Sequence, residues 1–263
     1  MVKLSSLSLL IPAYNDETTI EKVVAEAIAV GKRVAKKFEI VVVNDGSTDA
    51  TASLARYYLA RLHAKGRLII HTVNQGYGRT IKELYYAGIY DWLFTIPGDY
   101  QIGARELETI INSRGFFLSS PRRRGSSPKK MDSRFHGNDN ISIHPDMILG
   151  WRVKRNDPSN RLLSSWIYNT LLRWLFGITL HDINSVRLMR RSILKNITLT
   201  SHSAFVDAEL VIRAMKLGYT IAEVPIVHRA RSDDRPGGGN QWGTMWKTVR
   251  EMINFKIQTN PDQ

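Results

Sequence analysis

The first hundred residues alternate short apolar runs with longer amphipathic ones. Four runs of β-branched and aromatic residues have the length of strands and end at turn residues: 7–13, 38–44, 67–73 and 91–96. The intervening segments 18–37, 49–65 and 78–88 have the apolar spacing of helices. Asp49 is placed to cap the second of these helices. Strands joined by helices of this length predict βαβ crossovers and a mostly parallel sheet flanked by helices.

The second half of the chain continues this pattern after an interruption. Strands are predicted at 146–152 and 220–227, and the segment 185–194 indicates a strand that enters a turn. Helices are predicted at 104–112, 159–178, 208–217 and 241–256. We therefore expect a single α/β domain over residues 1–256, followed by a tail at 257–263.

The predicted helix 159–178 has an apolar stripe with two open interpretations. Its members are Leu162, Leu163, Trp166, Ile167, Leu171, Trp174, Leu175 and Ile178. Arg173 and the polar face argue against a membrane span. The stripe can pack on the core, or it can lie in a lipid interface, which its two tryptophans also suit.

Charge is concentrated in the segment 113–140. It holds seven Lys or Arg and two Asp, a net charge of +5 within a total of +13, and it is rich in Ser, Pro and Gly. This composition predicts a disordered basic insertion in the domain. The net charge alone favours a phosphate-rich partner, which can be nucleic acid, an anionic membrane or a phosphorylated substrate. The absence of Cys excludes disulfides, thiolate metal sites and a cysteine nucleophile.

Polar turns follow all four N-terminal strands. Their sequences are PAYNDE, NDGSTD, NQGYG and PGDYQ, in chain order. Any one of them is typical of an ordinary turn, since Asn, Asp and Gly are common turn residues. Ligands of parallel α/β sheets bind beyond the carboxyl ends of the strands, so four such turns together predict one shared polar site.

These turns and three later motifs, in order along the chain, resemble a known family. The later motifs are DINSVRLMRR, FVDAELVIRA and EVPIVHRAR. The ordered set is similar to the family 2 glycosyltransferases, in particular those that act on dolichyl and polyprenyl phosphates. The resemblance implies a GT-A fold, a nucleotide-diphosphate sugar donor such as a UDP- or GDP-sugar, a divalent metal and inversion at the sugar carbon.

The resemblance also implies a donor site at the carboxyl edge. Asp45 matches the residue that contacts the nucleobase, where a carboxylate can accept from a ring N–H. The other donor-site candidates are the pocket wall and the loop that approaches the nucleotide: Pro12, Tyr14, Asp16, Asn74, Gly76 and Arg79. Arg79 can contact a phosphate or can be a solvated residue at a helix start.

Asp99 and Gln101 are the predicted ligands of Mg²⁺ or Mn²⁺. Hard oxygen donors suit either ion, and the ion can neutralise a diphosphate leaving group. Most relatives have Asp-x-Asp-x-Gln here, whereas this chain has Pro97 at the first acidic position. With one carboxylate, we expect the ion to depend on the phosphates of the donor.

Four residues are predicted to act in the transfer step. Glu209 or Asp207 can serve as a general base toward an acceptor hydroxyl, although Asp207 also suits a helix cap. A lipid phosphate is already an anion, and with that acceptor the acid would orient groups instead. Arg187 and Arg231 are the best matches for cations that face the donor diphosphate and the acceptor phosphate.

The sequence therefore predicts an inverting glycosyltransferase, peripheral to the cytoplasmic membrane face, that transfers a sugar to a polyprenyl phosphate or related glycolipid. Two alternatives stay open: transfer to a sugar hydroxyl in surface polysaccharide assembly, and a degenerate nucleotide-sugar binder without catalysis. Nucleic-acid binding is not expected, since no recognised module is present. The histidines outside the family motifs have no metal spacing, and no ligand role is assigned to them.

Overall fold

A computed structural model gives the structure of the chain over residues 3–61, 65–113, 145–153, 159–230 and 242–259. Several predictions lie outside these described residues. They are the disorder of the basic insertion, of which only Ser113 is described, the phosphate-binding role of Arg231, the tail beyond Thr259, and the place of the Leu162 and Leu163 side chains in the apolar stripe.

Seven strands and seven α-helices make up the described part of the chain. The strands are β1 (Leu4–Ala13), β2 (Ala35–Asn44), β3 (Lys65–Ile70), β4 (Trp92–Thr95), β5 (Met147–Arg152), β6 (Arg187–Arg190) and β7 (Ile221–Ile226). The helices are α1 (Ile20–Val34), α2 (Thr51–Ala60), α3 (Tyr77–Ala87), α4 (Glu106–Asn112), α5 (Ser159–Phe176), α6 (Phe205–Lys216) and α7 (Trp242–Thr259). A short 3-10 helix, Arg191–Lys195, follows β6.

The strands form one sheet in the order β3-β2-β1-β4-β6-β5-β7. β6 runs antiparallel to its neighbours β4 and β5, and the other pairings are parallel. The register aligns Ala13 with Asn44 and Asn44 with Ile70, so β1, β2 and β3 end together. The predicted single α/β domain with a mostly parallel sheet is confirmed, and β6 begins at the edge where the parallel strands end.

Apolar side chains pack on both faces of the sheet. Alternation along β1 sends Leu9 and Ile11 into one cluster and Leu10 into the other. The first cluster includes buried residues of α1, α2 and α4, and the second includes buried residues of α3, α5, α6 and α7. Burial on both faces fixes the sheet, and therefore fixes the positions of the polar turns at its carboxyl edge.

Some predicted element ends were wrong. β1 begins at Leu4 and β2 at Ala35, because pairing of Leu4 with Ala35 and of Ser6 with Lys37 extends the ladder through polar positions. α2 ends at Ala60, well short of residue 65, where β3 already begins. α7 continues to Thr259, so residues 257–259 belong to a helix and not to a tail.

The apolar stripe predicted on α5 divides between the core and the surface. Among its members, Ile178 is buried in the second cluster, and Leu171 and Leu175 are partly buried against it. Trp166 and Trp174 are 65% and 79% exposed, so core packing is the wrong interpretation for the two tryptophans. Among the described helices, none combines the length and the apolar character needed to cross a bilayer.

Candidate functional site

The carboxyl edge of the sheet brings the four polar turns next to one another. The backbone N–H of Asp45 donates to the carbonyl of Ala13 at 2.8 Å, and that of His71 donates to the carbonyl of Asn44 at 2.9 Å. On the other side of β1, the N–H of Ile96 donates to the carbonyl of Leu10 at 2.9 Å. The ladders therefore continue to the start of each turn, and the turns form adjacent parts of one surface.

The turns after β1 and β2 interlock through side chains. The N–H of Asn15 donates to Ser47 Oγ at 2.9 Å, and the N–H of Thr48 donates to Asn15 Oδ1 at 2.9 Å. Asn15 has a positive φ of 54°, which Asn tolerates better than most residues. The N–H of Asp16 donates to Thr51 Oγ1 at 2.7 Å, at the start of α2. The turn that contains Tyr14 and Asp16 is thus held against the turn that follows Asp45, and Pro12 lies on β1 opposite Val43.

Asp45 is the centre of the donor-site candidates. Its Oδ1 accepts from the N–H of Gln75 at 2.8 Å, and its Oδ2 accepts from the N–H of Gly76 at 2.9 Å. The Asn74 side chain donates to the Asp45 carbonyl at 3.2 Å. Gly76 has a φ of 89°, a conformation that favours glycine, and α3 begins directly after it. The structure therefore brings Asp45, Asn74 and Gly76 together, while Arg79 is exposed on the first turn of α3.

His71 also contacts Asp45, and no sequence pattern indicates this contact. Its Nδ1 lies 2.7 Å from Asp45 Oδ1, and its Nε2 lies 2.7 Å from Glu83 Oε2. Burial lowers the pKa of His71, but the hydrogen bonds to Asp45 and Glu83 outweigh burial and raise this pKa above its ordinary value. The three residues are far apart in sequence, so only the fold joins them.

The turn after β4 contains the predicted metal ligands. Asp99 is half-buried, and its Oδ1 accepts from the N–H of Gln101 at 3.0 Å. Tyr100 between them has a φ of 58°. A Cβ on Gly98 would lie 2.5 Å from Asp16 Oδ2, so Gly98 allows the close approach of a second carboxylate. Asp99 and Asp16 are therefore both held near this turn.

These side chains can bind a divalent ion only if other ligands complete its coordination. Carboxylate and amide oxygens suit Mg²⁺ and Mn²⁺. Within the described ranges, however, no group of three His, Cys, Asp or Glu side chains could hold a metal. The side chain of Pro97 supplies no donor atom to the turn. The residues present therefore fit an ion that takes most of its ligands from substrate phosphates and water.

Arg187 and Asp207 form a buried ion pair beneath the edge. Arg187 Nη2 lies 3.0 Å from Asp207 Oδ1, and the side chains are 1% and 0% exposed. Asp207 also accepts from the hydroxyls of Tyr77 at 2.7 Å and Tyr85 at 2.8 Å. The Arg187 N–H donates to Thr95 Oγ1 at 3.2 Å, which ties the pair to the end of β4. Neither charged group is open to a substrate in this arrangement.

The side chain of Glu209 is also buried and hydrogen-bonded. Its carboxylate accepts from the backbone N–H groups of Thr200 and Ser201, and from Arg213 Nε at 2.8 Å. Burial raises the pKa of Glu209, but these hydrogen bonds outweigh it and hold the pKa below its usual range. The general-base role of Glu209 stays a prediction, and it would require the 200–201 turn to release the carboxylate.

Arg229 is better placed at the edge than the sequence indicated. Its backbone N–H donates to the Gln101 carbonyl at 2.8 Å, and its guanidinium lies 4.5 Å from the centre of the Tyr100 ring. The segment after β7 therefore packs directly on the turn that contains Asp99. The family motif EVPIVHRAR includes Arg229, but the sequence could not show which of its cations meets this turn.

Comparison with known proteins gives a consistent result along the chain. Residues 8–113 match the Glycosyl transferase family 2 domain. The polyprenol monophosphomannose synthase of Mycolicibacterium smegmatis is 28% identical over 95% of this chain and 88% of its own length. The dodecaprenyl-phosphate galacturonate synthase of Rhizobium johnstonii is 27% identical over 86% of this chain, which spans only 59% of that relative. The dolichyl-phosphate hexose transferase of Haloferax volcanii is 28% identical over 87% of this chain and 85% of its length.

The solved structures that match support the fold. The glucosyl-3-phosphoglycerate synthase of Mycobacterium tuberculosis, in complex with Mn²⁺, UDP and glucosyl-3-phosphoglycerate, aligns with a TM-score of 0.63. The alignment covers 96% of this chain and 80% of that one at 17% identity. At this identity the likeness concerns the fold alone, and the predicted GT-A fold is confirmed.

Proposed function

Residues 8–113 of this chain form a glycosyl transferase family 2 domain, and from that premise we propose that the protein transfers a sugar from a nucleoside-diphosphate donor to a polyprenyl phosphate. The observation that carries the proposal is the polar carboxyl edge centred on Asp45, in a chain with similar proteins named for polyprenyl and dolichyl phosphates. The chain matches two of those relatives over 85% and 88% of their own length.

The nucleotide of the donor binds beside Asp45 in this proposal. Pro12, Tyr14 and Asp16 form the wall of the nucleobase pocket, next to the interlocked turns. The exposed Asn74 and the glycine at position 76 let the backbone approach the ribose and the phosphates, and Arg79 contacts a phosphate. Asp45 then has a specific task, which is to accept a hydrogen bond from the base.

Asp99 and Gln101 are the residues that would hold a divalent ion, Mg²⁺ or Mn²⁺. When bound, that ion would neutralise the charge that develops on the leaving diphosphate. The backbone N–H of Gln101 already orients one oxygen of Asp99, which leaves the other oxygen as the ligand. The proximity of Asp16 to Gly98 adds negative charge at the same turn.

The transfer is a single displacement that inverts the sugar carbon. An oxygen of the acceptor phosphate attacks the anomeric carbon, the new C–O bond forms, and the bond to the donor diphosphate breaks. The attacking oxygen is an anion near neutral pH, so no side chain needs to remove a proton. Asp207 and Glu209 then act through position: Asp207 is paired with Arg187, and Glu209 holds the 200–201 turn.

The acceptor is a lipid, and two helices offer a surface for its membrane. Trp166 and Trp174 on α5 and Trp246 on α7 are at least 65% exposed, and α5 and α7 are neighbours in the fold. Arg173 on α5 and Arg250 on α7 are exposed near these tryptophans along each helix. Exposed tryptophans next to cations favour the headgroup region of an anionic bilayer. We propose peripheral membrane contact through this tryptophan surface.

A donor screen tests the function. Wild-type protein is incubated with UDP- or GDP-sugars and Mn²⁺, with and without a short-chain polyprenyl phosphate, and release of nucleoside diphosphate is measured. Release from at least one donor that depends on the polyprenyl phosphate supports the proposal. Release that requires a free sugar acceptor instead, or no release from any donor, contradicts it.

A further inference from the structure

A row of hydrogen bonds connects Asp45 to helix α3 through His71. His71 and Asp45 are buried, whereas the carboxylate of Glu83 on α3 is 42% exposed. Both ring nitrogens of His71 lie 2.7 Å from a carboxylate oxygen. The proposed function uses Asp45, but it assigns no role to His71 or Glu83.

The hydrogen bonds of Asp45 leave room for one more donor. A carboxylate has about four acceptor positions, two on each oxygen. Asp45 Oδ1 accepts from His71 and from the N–H of Gln75, and Oδ2 accepts from the N–H of Gly76. Among the contacts of the described residues, one position on Oδ2 is therefore left, and its direction is set by the contacts that fix the carboxylate plane.

We propose that His71 is a positioning residue for donor selection, which fixes Asp45 so that the remaining position on Oδ2 accepts the ring N–H of the nucleobase. Uracil and guanine carry such an N–H on their pairing edge, whereas cytosine and adenine have an unprotonated nitrogen at the corresponding place. The inference rests on the proposed function, and it adds the residue that controls which bases are accepted.

The arrangement requires a protonated imidazole. Only the imidazolium can donate to Asp45 and Glu83 at the same time, since a neutral ring has one N–H. Asp45 after β2 and Glu83 on α3 are the charged groups that face the ring in the described part of the chain. Their pairing raises the pKa of His71, so the intact row is present at low pH and is lost as pH rises through that raised pKa.

Nucleotide binding by wild type and two variants tests the role of His71. Titration calorimetry of UDP, GDP, CDP and ADP with Mn²⁺ compares wild type with His71→Ala and His71→Asn. The Asn side chain can donate to Asp45 from about the position of Nδ1. We expect His71→Ala to weaken binding of the preferred diphosphate about tenfold, with a smaller change for CDP and ADP. His71→Asn should restore most of the affinity and the base preference.

A pH series separates positioning from a purely structural role. Wild-type affinity for the preferred diphosphate should fall as pH rises from 6 to 9, and His71→Asn should show no such step. Glu83→Gln removes a negative charge that stabilises the proton on His71. In this variant, the fall in nucleotide affinity should therefore occur at lower pH than in wild type. Thermal melts of each variant check that the fold is intact.

The outcomes distinguish this inference from the function it rests on. A wild-type protein that binds none of the four diphosphates contradicts the proposed function. Wild-type binding that His71→Ala reproduces in affinity and base preference contradicts only the role of His71. If the affinity of wild type and of His71→Asn changes with pH in the same way, this result also contradicts only the role of His71.

Discussion

At the residue scale, the turn after β4 determines how a diphosphate can be held. The turn has one carboxylate, Asp99, and one oxygen of this group already accepts a hydrogen bond from the N–H of Gln101. Replacement of Pro97 by Asp adds an acidic ligand at the position where the family resemblance implies one. We expect Pro97→Asp to tighten Mn²⁺-dependent nucleotide binding about tenfold, since carboxylates are strong ligands for this ion. Titration calorimetry measures the effect.

The matched control is Pro97→Ala, which removes the ring without adding a ligand. Equal affinities for the Asp and Ala variants would show that an ion is bound elsewhere or is not bound at all. Tighter binding by Pro97→Asp in the absence of Mn²⁺ would also contradict the assignment of Asp99 and Gln101.

A second residue-scale prediction concerns the ion pair of Arg187 and Asp207. Because the pair is buried, Arg187→Met leaves an uncompensated carboxylate among the Tyr77 and Tyr85 hydroxyls. We expect this change to lower the free energy of unfolding by about 3–5 kcal/mol. Urea unfolding at neutral pH measures the loss.

Arg213→Met is the control for that experiment. Arg213 pairs with Glu209 but is 29% exposed, and Glu209 keeps its bonds to the 200–201 turn. We expect a loss of about 1 kcal/mol or less. If the two variants were equally stable, the buried pair would not have the structural role given to it here.

The role of a residue could be predicted from the sequence only when the residue lies in a recognisable motif. Asp45 and Asn74 follow strands, and parallel strands place such turns side by side, so their convergence could be expected. His71 could not be found in this way, because its partners Asp45 and Glu83 come from different elements. The burial of Arg187 could not be predicted either, because its partner Asp207 lies on a different element, α6.

At the element scale, α5 and α7 form the tryptophan surface. Trp166 and Trp174 on α5 are exposed, and each buries apolar area if it enters a lipid interface. We expect the double variant Trp166→Ala and Trp174→Ala to reduce partition onto vesicles of anionic lipid about tenfold, as measured by cosedimentation. Activity toward a short, water-soluble acceptor should change little.

Tyr57→Ala is the control, because Tyr57 is 48% exposed on α2, outside the tryptophan surface. Vesicle binding that is equal in the tryptophan variant, the control and wild type would show that the protein does not dock through α5. Loss of vesicle binding in the control alone would place the membrane contact at α2.

The elements themselves were largely predictable, and their ends were less so. The apolar period identified the strands and most helices because the sheet is buried on both faces. It did not predict the start of β2, where pairing extends the strand through polar residues, and it did not predict which residues of α5 are exposed. A helical stripe shows which residues share a face, but only the packed structure shows whether another element covers that face.

At the scale of the whole molecule, the basic insertion is predicted to be dispensable. Deletion of residues 114–140 removes a net charge of +5 and keeps Ser113, whose N–H donates to the Ile110 carbonyl at the end of α4. Long surface insertions cost little in loop closure, so we expect the melting temperature and the transfer rate to stay near wild-type values. A collapse of either quantity would show that the segment is part of the fold or of the site.

The carboxyl edge centred on Asp45 is proposed to transfer a sugar to a lipid phosphate. The most direct test follows a labelled sugar from the preferred donor into an organic-extractable product, with polyprenyl phosphate as acceptor and Asp45→Ala beside wild type. We predict labelled polyprenyl-phosphate sugar from wild type and at least a tenfold lower rate from Asp45→Ala, through loss of the hydrogen bond to the base. An absence of lipid product from wild type, or equal rates for the two proteins, would contradict the claim.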